Sequence, residues 1–267
     1  MKDQLGDRMK GQYEDRTRYL LPRRTYTIMR LDGKAFHTYT RGLNKPFDKP
    51  LFEDMDAAII AMLPQIQGAV FAYTQSDEIS ILLTDFATPQ TSAWFDGNLQ
   101  KVCSVAASII TAEFNKYRIV RQMAHVFGTN TNMKVSELSL AAFDARVFTI
   151  PDRIEVMNYF IWRNQDCSRN SVSMVAQSLF SHKELHGKST PEMHDMIHGA
   201  GKNWATDYSD GEKNGRLIVK EEYQTNCVPT SPLGTSSSPT RTRWVSQGAW
   251  KFTENKDKLL AMVPKYE

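Results

Sequence analysis

Asp32 in RLDGKAF (residues 30–36) and Asp77 in YTQSDEISILL (residues 73–83) each stand where a short apolar stretch meets polar residues. One carboxylate at a strand edge and a second from a neighbouring hairpin make a set of hard oxygens suited to Mg²⁺. That ion needs only one or two carboxylates and completes its shell with phosphates and water. The pair therefore points to phosphoryl or nucleotidyl transfer. Gly33 could add its backbone carbonyl, because no side chain blocks access. A lone Asp-Gly is also a common turn. The second motif is stronger, since Ser76, Asp77 and Glu78 put three oxygen-bearing side chains at one turn. Two unrelated turn acids are the plainer alternative for either motif. A triphosphate also needs cations, and Lys34, Lys45 and Lys101 follow the first strand or open a long helix. His37 is near enough to Gly33 to touch a phosphate or base, or simply to pack.

The elements that must position these residues follow from the apolar periodicity. Residues 25–31 alternate and are rich in β-formers, which predicts a strand ending at Asp32. Asp48 opens a helix over 49–63, closed by Pro64. Residues 69–74 and 78–84 flank Gln75, Ser76 and Asp77 as a hairpin with its polar turn in the functional position. A long helix over 91–117, a strand over 143–150 and a helix over 152–180 follow. The order strand, helix, strand, strand, helix, strand is the split βαβ arrangement of α+β, ferredoxin-like folds, which also builds the palm of many polymerases and nucleotide cyclases. In that arrangement the first strand lies beside the hairpin and brings Asp32 to Asp77. Further strands are expected over 215–223 and 240–246, with a closing helix over 253–262. The Pro-, Ser- and Gly-rich stretch between those strands predicts a mobile loop over 228–239. The expected organisation is a palm-like catalytic domain over 1–200, with a basic N-terminal segment. An α/β extension over 201–267 packs on the same domain.

Composition narrows the class. The 267 residues have ordinary apolar and charged fractions, which excludes disordered and collagen-like chains. No run of about 18 apolar residues occurs, so no membrane span is expected, and the N-terminus has no apolar core of signal-peptide type. Cys103, Cys167 and Cys227 are far apart with no CxxC pairing, which argues against a thiolate zinc site and fits a reducing cytoplasm. Cys103 and Cys167 lie in apolar patterns and are expected in the core. A net charge of +3 does not establish a nucleic-acid partner. Arg16, Arg18, Arg23, Arg24 and Arg30 do crowd the N-terminal segment. They form either a phosphate-neutralising cluster or a solvated face balanced by Asp3, Asp7, Glu14 and Asp15.

The motifs RLDGKAFH, NKPFD (44–48), YTQSDEIS, FDARV and NYFIWRNQDCSRNS occur in the order and spacing of the tRNA-His guanylyltransferase family. AWFDGNLQK (93–101) and FSHKELHGK (180–188) look like its bacterial and phage-type members. The resemblance spans about residues 20–200. It implies a polymerase-like palm that adds nucleotides to the 5′ end of tRNA, opposite to ordinary polymerases. By that resemblance Asp32, the Gly33 carbonyl and Asp77 bind two Mg²⁺ ions. Lys45 and Ser76 act on triphosphate or activation chemistry, with Glu78 supporting the site. Lys34, Ala35, Phe36, His37, Asp48 and Lys101 fall at positions of the nucleotide site, for which ATP, GTP and other nucleoside triphosphates are the substrates. Arg30 falls at a motif position as well. Trp162, Arg163, Asp166, Arg169 and Asn170 are expected to face RNA or the incoming nucleotide, and Arg23 and Arg24 to meet the tRNA. Asp144 and Arg146 of FDARV could equally form a structural ion pair. A cytoplasmic homotetramer is implied.

One departure bears on the task. The eukaryotic pattern has DCHINN where this chain has DCSRNS, so Ser168 replaces a His and Ser171 an Asn. Template-dependent repair of 5′-truncated tRNA is therefore expected ahead of untemplated G addition to tRNA-His. Two rivals stand beside this reading. A palm-type nucleotide cyclase needs the same acids, but the turn reads QSDEI rather than a GGDEF-like loop. A catalytically silent tRNA-binding module would have no need of a metal pair.

Overall fold

Residues 26–33 alternate between two apolar environments: Ile28 turns to one side of a sheet, and Met29 and Leu31 turn to the other. The computed structural model describes residues 3–129, 139–224 and 240–266. The chain runs α1 (Gln4–Gln12), β1 (Tyr26–Gly33), α2 (Phe36–Tyr39), α3 (Lys49–Met62), β2 (Ala69–Gln75), β3 (Glu78–Leu83), α4 (Leu99–Thr129), β4 (Phe143–Ile150) and α5 (Arg153–Leu179). It continues through α6 (His182–Leu185), α7 (Thr190–Gly199), α8 (Trp204–Asp207), α9 (Asp210–Asn214), β5 (Arg216–Gln224), β6 (Thr240–Gly248) and α10 (Lys256–Met262). The 228–239 loop and Cys227 lie outside the described residues.

The strands form one antiparallel sheet in the order β4-β1-β3-β2-β5-β6. The first four reproduce the ferredoxin-like order, and the fold is α+β as expected. β5 joins directly to the hairpin strand β2, pairing Ala72 with Ile218 and Thr74 with Arg216. On one face, Met29, Leu31, Ile79 and Ile81 pack against Met55 and Ile59 of α3 and Ile110 and Phe114 of α4. On the other, Ile28, Phe71 and Leu82 meet Val156 and Phe160 of α5 and Leu259 of α10. The Phe71 and Phe160 rings are 4.7 Å apart. Each such side chain contributes roughly 1.5–3 kcal/mol when removed from water, so the strand ends carrying the polar motifs are fixed from both sides.

Three expectations shift. α4 begins at Leu99 rather than residue 91, because Phe95 and Asp96 take φ of 51° and 55° and break any continuous helix. Asn98 then accepts from the Lys101 N–H and starts the helix, which runs beyond residue 117. The closing helix is a 3₁₀ turn at Phe252–Glu254 followed by α10. Cys167 is buried, its thiol pushed up to about 11 by burial, whereas Cys103 is only partly covered. Among the described residues, no helix is long and apolar enough to cross a membrane.

Candidate active site

β1 and the β2–β3 hairpin end at the same margin of the sheet. The register pairs Arg30 with Ser80 and Leu31 with Ile79, and just beyond it stand Asp32 and Gly33 on one side and the Gln75–Glu78 turn on the other. The two motifs touch. A Cβ placed on Gly33 would lie 2.9 Å from the Asp77 Cβ and 2.3 Å from the Phe36 ring, so only glycine fits. Ser76 takes φ of 48°, and Ala35, two residues after Gly33, takes 53°. A side chain in this left-handed region is strained and persists only where its surroundings over-determine it. Two such residues flank the acidic pair.

Asp32 and Asp77 open on one cavity of about 490 Å³, within the size range of small-ligand sites. Burial pushes the Asp77 carboxyl above the ordinary aspartate range. The Ser76 side chain and the local backbone pull it down, and the charges of Asp32 and Glu78 push it up again. Glu78 has both oxygens engaged: Arg163 Nε and Nη2 donate to Oε1 and Oε2 at 2.6 and 2.7 Å, and Arg30 Nη2 lies 2.7 Å from Oε2. It holds the turn in place rather than offering an oxygen to a ligand. Arg146 lies 3.7 Å from both Asp32 and Asp144, but its exposure leaves these pairs weak.

The donor set fits Mg²⁺. Two carboxylates and the Gly33 carbonyl are all hard oxygens, and a bound cation offsets both the burial and the neighbouring negative charge that raise Asp77. Among the described residues no group of three or more His, Cys, Asp or Glu gathers to hold a metal ion. Two carboxylates with a carbonyl suit an ion that completes its shell with substrate oxygens.

The other expected residues divide. Arg163, Asp166 and Asn170 of α5 line the cavity with Asp32, Ser76 and Asp77. Arg169 is exposed and bonded to Asp166 at 3.0 Å, and the Arg163 guanidinium lies over the Trp162 ring, 4.4 Å from its centroid. Lys34, Ala35 and His37 are exposed around the start of α2, next to Gly33. Lys45 is exposed two residues before the cavity-lining Phe47. Five positions are engaged elsewhere. Phe36 is buried in a ring cluster with Tyr39, Phe114 and Phe143. Asp48 caps α3, accepting from the Leu51 N–H at 2.8 Å and from Asn44 at 3.1 Å. Lys101 sits over the Phe95 ring in the first turn of α4, where Leu99 bonds to Tyr19, and does not line the cavity. Arg23, bonded to Asp85, and Arg24, bonded to Tyr266, stand beyond the opposite end of β1, roughly 25 Å of strand from Asp32.

The family model described as tRNA-His guanylyltransferase matches residues 6–151, more than half of the chain. The chain belongs to this family. A tRNA(His) guanylyltransferase of Schizosaccharomyces pombe is 31% identical over 198 residues, covering 70% of this chain and 69% of the relative. A bacterial tRNA(His) guanylyltransferase-like protein solved in complex with ATP superposes with a TM-score of 0.81 at 37% identity, covering 97% of this chain and 99% of that one. A complex of a bacterial protein of this kind with GTP gives 0.77 at 37% identity, with 98% and 99% covered. The chain is thus a nucleotidyltransferase of the guanylyltransferase type, which sets the cyclase aside.

The departure at Ser168 acquires a physical reading in this family member. Ser168 does not line the cavity; its hydroxyl bonds the Asn164 carbonyl and Asn214 Oδ1, tying α5 to the end of α9. Ser171 does line it, and bonds Trp204 Nε1 at 3.1 Å. Phe47 of NKPFD and Gln75 of the polar turn also line the cavity, as do Phe52 and Arg216, which no local sequence signal singles out. Gly33→Ala is the sharpest local test of the candidate site. Its added methyl would push on Phe36 and Asp77 together. Nucleotide incorporation is expected to fall about a hundredfold for a displacement of this size, with far-ultraviolet circular dichroism unchanged. Unaltered turnover would disprove the contact.

Proposed function

We propose that this family member extends the 5′ end of tRNA in the 3′–5′ direction, as a template-dependent repair of 5′-truncated tRNA. The observation that carries the reading is the contact of Gly33 with Asp77 beside Asp32 at the mouth of the cavity. The ATP and GTP complexes of its bacterial relatives support nucleoside triphosphates as its substrates. Asp32, Asp77 and the Gly33 carbonyl would hold Mg²⁺, which when bound supplies charge neutralisation and phosphate orientation. Ser76 fixes the turn that presents Asp77, and Arg163 and Arg30 hold Glu78 away from the ligand oxygens.

For a 5′-monophosphate RNA, ATP or GTP transfers its nucleotidyl group to the end phosphate with loss of pyrophosphate. The 3′ hydroxyl of the incoming nucleoside triphosphate then attacks that phosphate and expels the nucleoside monophosphate. Family likeness also supports a cytoplasmic homotetramer in this proposal.

A tRNA lacking its first nucleotide and carrying a labelled 5′ monophosphate, incubated with Mg²⁺, ATP and each nucleoside triphosphate in turn, tests the reading. Extension by the nucleotide complementary to the opposing base alone is expected. Addition of G whatever the opposing base would replace repair with untemplated guanylylation, and no extension would sink both.

A further inference from the structure

Three polar side-chain atoms of residues lining the active-site cavity are buried without a hydrogen-bond partner among the described residues: Arg216 Nη2, Gln75 Oε1 and Arg30 Nε. Arg216 is only 7% exposed and Gln75 5%. A buried donor or acceptor left unpaired is costly, and the side chains that carry these three atoms all line the cavity.

Arg216 is held from behind. Its Nε donates to Asp56 at 2.6 Å, and its guanidinium lies 4.3 Å over the Phe52 ring. Asp56 balances the charge, so the remaining N–H groups offer direction rather than charge. That suits a neutral acceptor better than a phosphate. Gln75 is also fixed: its amide nitrogen faces Glu78 Oε1 at 3.4 Å, and an ionised carboxylate only accepts. The amide cannot turn round, and its oxygen awaits a donor.

The cavity therefore requires a neutral group carrying both acceptors and donors. The nucleoside half of a nucleotide carries them on its base edges and ribose hydroxyls. Phe47 and Phe52, with ring centroids 6.1 Å apart, supply apolar wall of the kind on which bases stack. From Asp32 on β1 to Arg216 on β5 is three strand spacings, about 14 Å, which matches the reach of a nucleotide from its phosphates to its base.

We propose that Arg216 and Gln75 form a nucleoside subsite, Arg216 donating to a base or ribose acceptor and Gln75 accepting from a donor. The proposal rests on the nucleotide reading of the cavity and adds residues to it. Arg216 lies beyond the segment that the family model matches, so the subsite is contributed partly by the C-terminal strands.

Binding to the full chain with Mg²⁺ is measured by calorimetry for two probes: a non-hydrolysable ATP or GTP analogue and inorganic tripolyphosphate. Wild type is compared with Arg216→Lys, which keeps a cation beside Asp56 but loses the planar fork, and with Gln75→Met. Each variant is expected to weaken nucleotide binding tenfold or more, about the worth of a hydrogen bond to a charged or buried partner, and to leave tripolyphosphate binding unchanged. Parallel loss of both probes would overturn the subsite, because it reports a disturbed phosphate site or fold. Unchanged nucleotide affinity would overturn it too, leaving water as the partner of the orphan atoms. Wild type binding tripolyphosphate as tightly as the nucleotide defeats the subsite alone. Wild type binding neither probe defeats the nucleotide reading itself, and the subsite with it.

Discussion

Asp77→Asn is expected to lower nucleotide addition at least about a thousandfold, the scale of losing charge stabilisation in a phosphoryl-type transition state, while tRNA binding survives. The substitution keeps the shape of a side chain packed against Gly33 and removes only its charge. RNA affinity comes mainly from cationic contacts to its phosphates, which a carboxylate does not supply. Single-turnover extension of 5′-truncated tRNA, with filter binding of the same RNA, separates the two. Turnover within tenfold of wild type would remove Asp77 from the chemistry.

The same carboxyl carries a pH signature. Folding raises its pKa, chiefly by burial. In the metal-free protein its contribution to stability is therefore full below the ordinary aspartate value of about 4 and is lost as the pH climbs through the raised folded value. Mg²⁺ binds the ionised form, so its stabilising effect must grow across that window. The rise in Tm on adding Mg²⁺ should steepen with pH in wild type more than in Asp77→Asn. Parallel profiles would show that Mg²⁺ does not engage this carboxyl.

Arg163→Ala is expected to lower stability by about 3 kcal/mol, near the lower end for breaking a buried ion pair. The Arg163 and Glu78 side chains are 6% and 8% exposed and share two short bonds. Removing the guanidinium leaves Glu78 with the partly buried Arg30 as its remaining strong partner. A chain of this length should then lose roughly 6–12 °C in Tm. Arg163→Lys should recover only part of this, because a point charge cannot make the parallel pair of bonds. A loss under about 2 °C would mean that desolvation already cancels the pair's attraction.

The acidic pair and the palm were legible because their signals are local. A β-rich stretch ending in Asp-Gly and a hairpin with Ser-Asp-Glu at its turn are each written within a few residues, and the ferredoxin-like order then decides that the two meet. Lys101 stands over the Phe95 ring in the first turn of α4, a placement that its motif position does not convey. The start of α4 was misplaced because nothing in AWFDGN marks the positive φ of Phe95 and Asp96. Asp48 offered a carboxylate in a motif, yet its cap onto Leu51 is an equally common use of that residue. Glu78 with Arg163 and Asp56 with Arg216 are joined across 85 and 160 residues, distances at which a single sequence carries no pairing signal.

The junction of β2 with β5 has a consequence in time. The strand that leads into the acidic turn finds its outer partner only when Arg216 has been made, about 140 residues after Thr74. At synthesis rates of roughly 5–20 residues per second, that edge stays open for on the order of ten to thirty seconds on every ribosome. An unpaired, largely apolar edge invites pairing with other chains. The nascent chain must spend that interval shielded, and the yield of folded enzyme will depend on how crowded the translating polysome is.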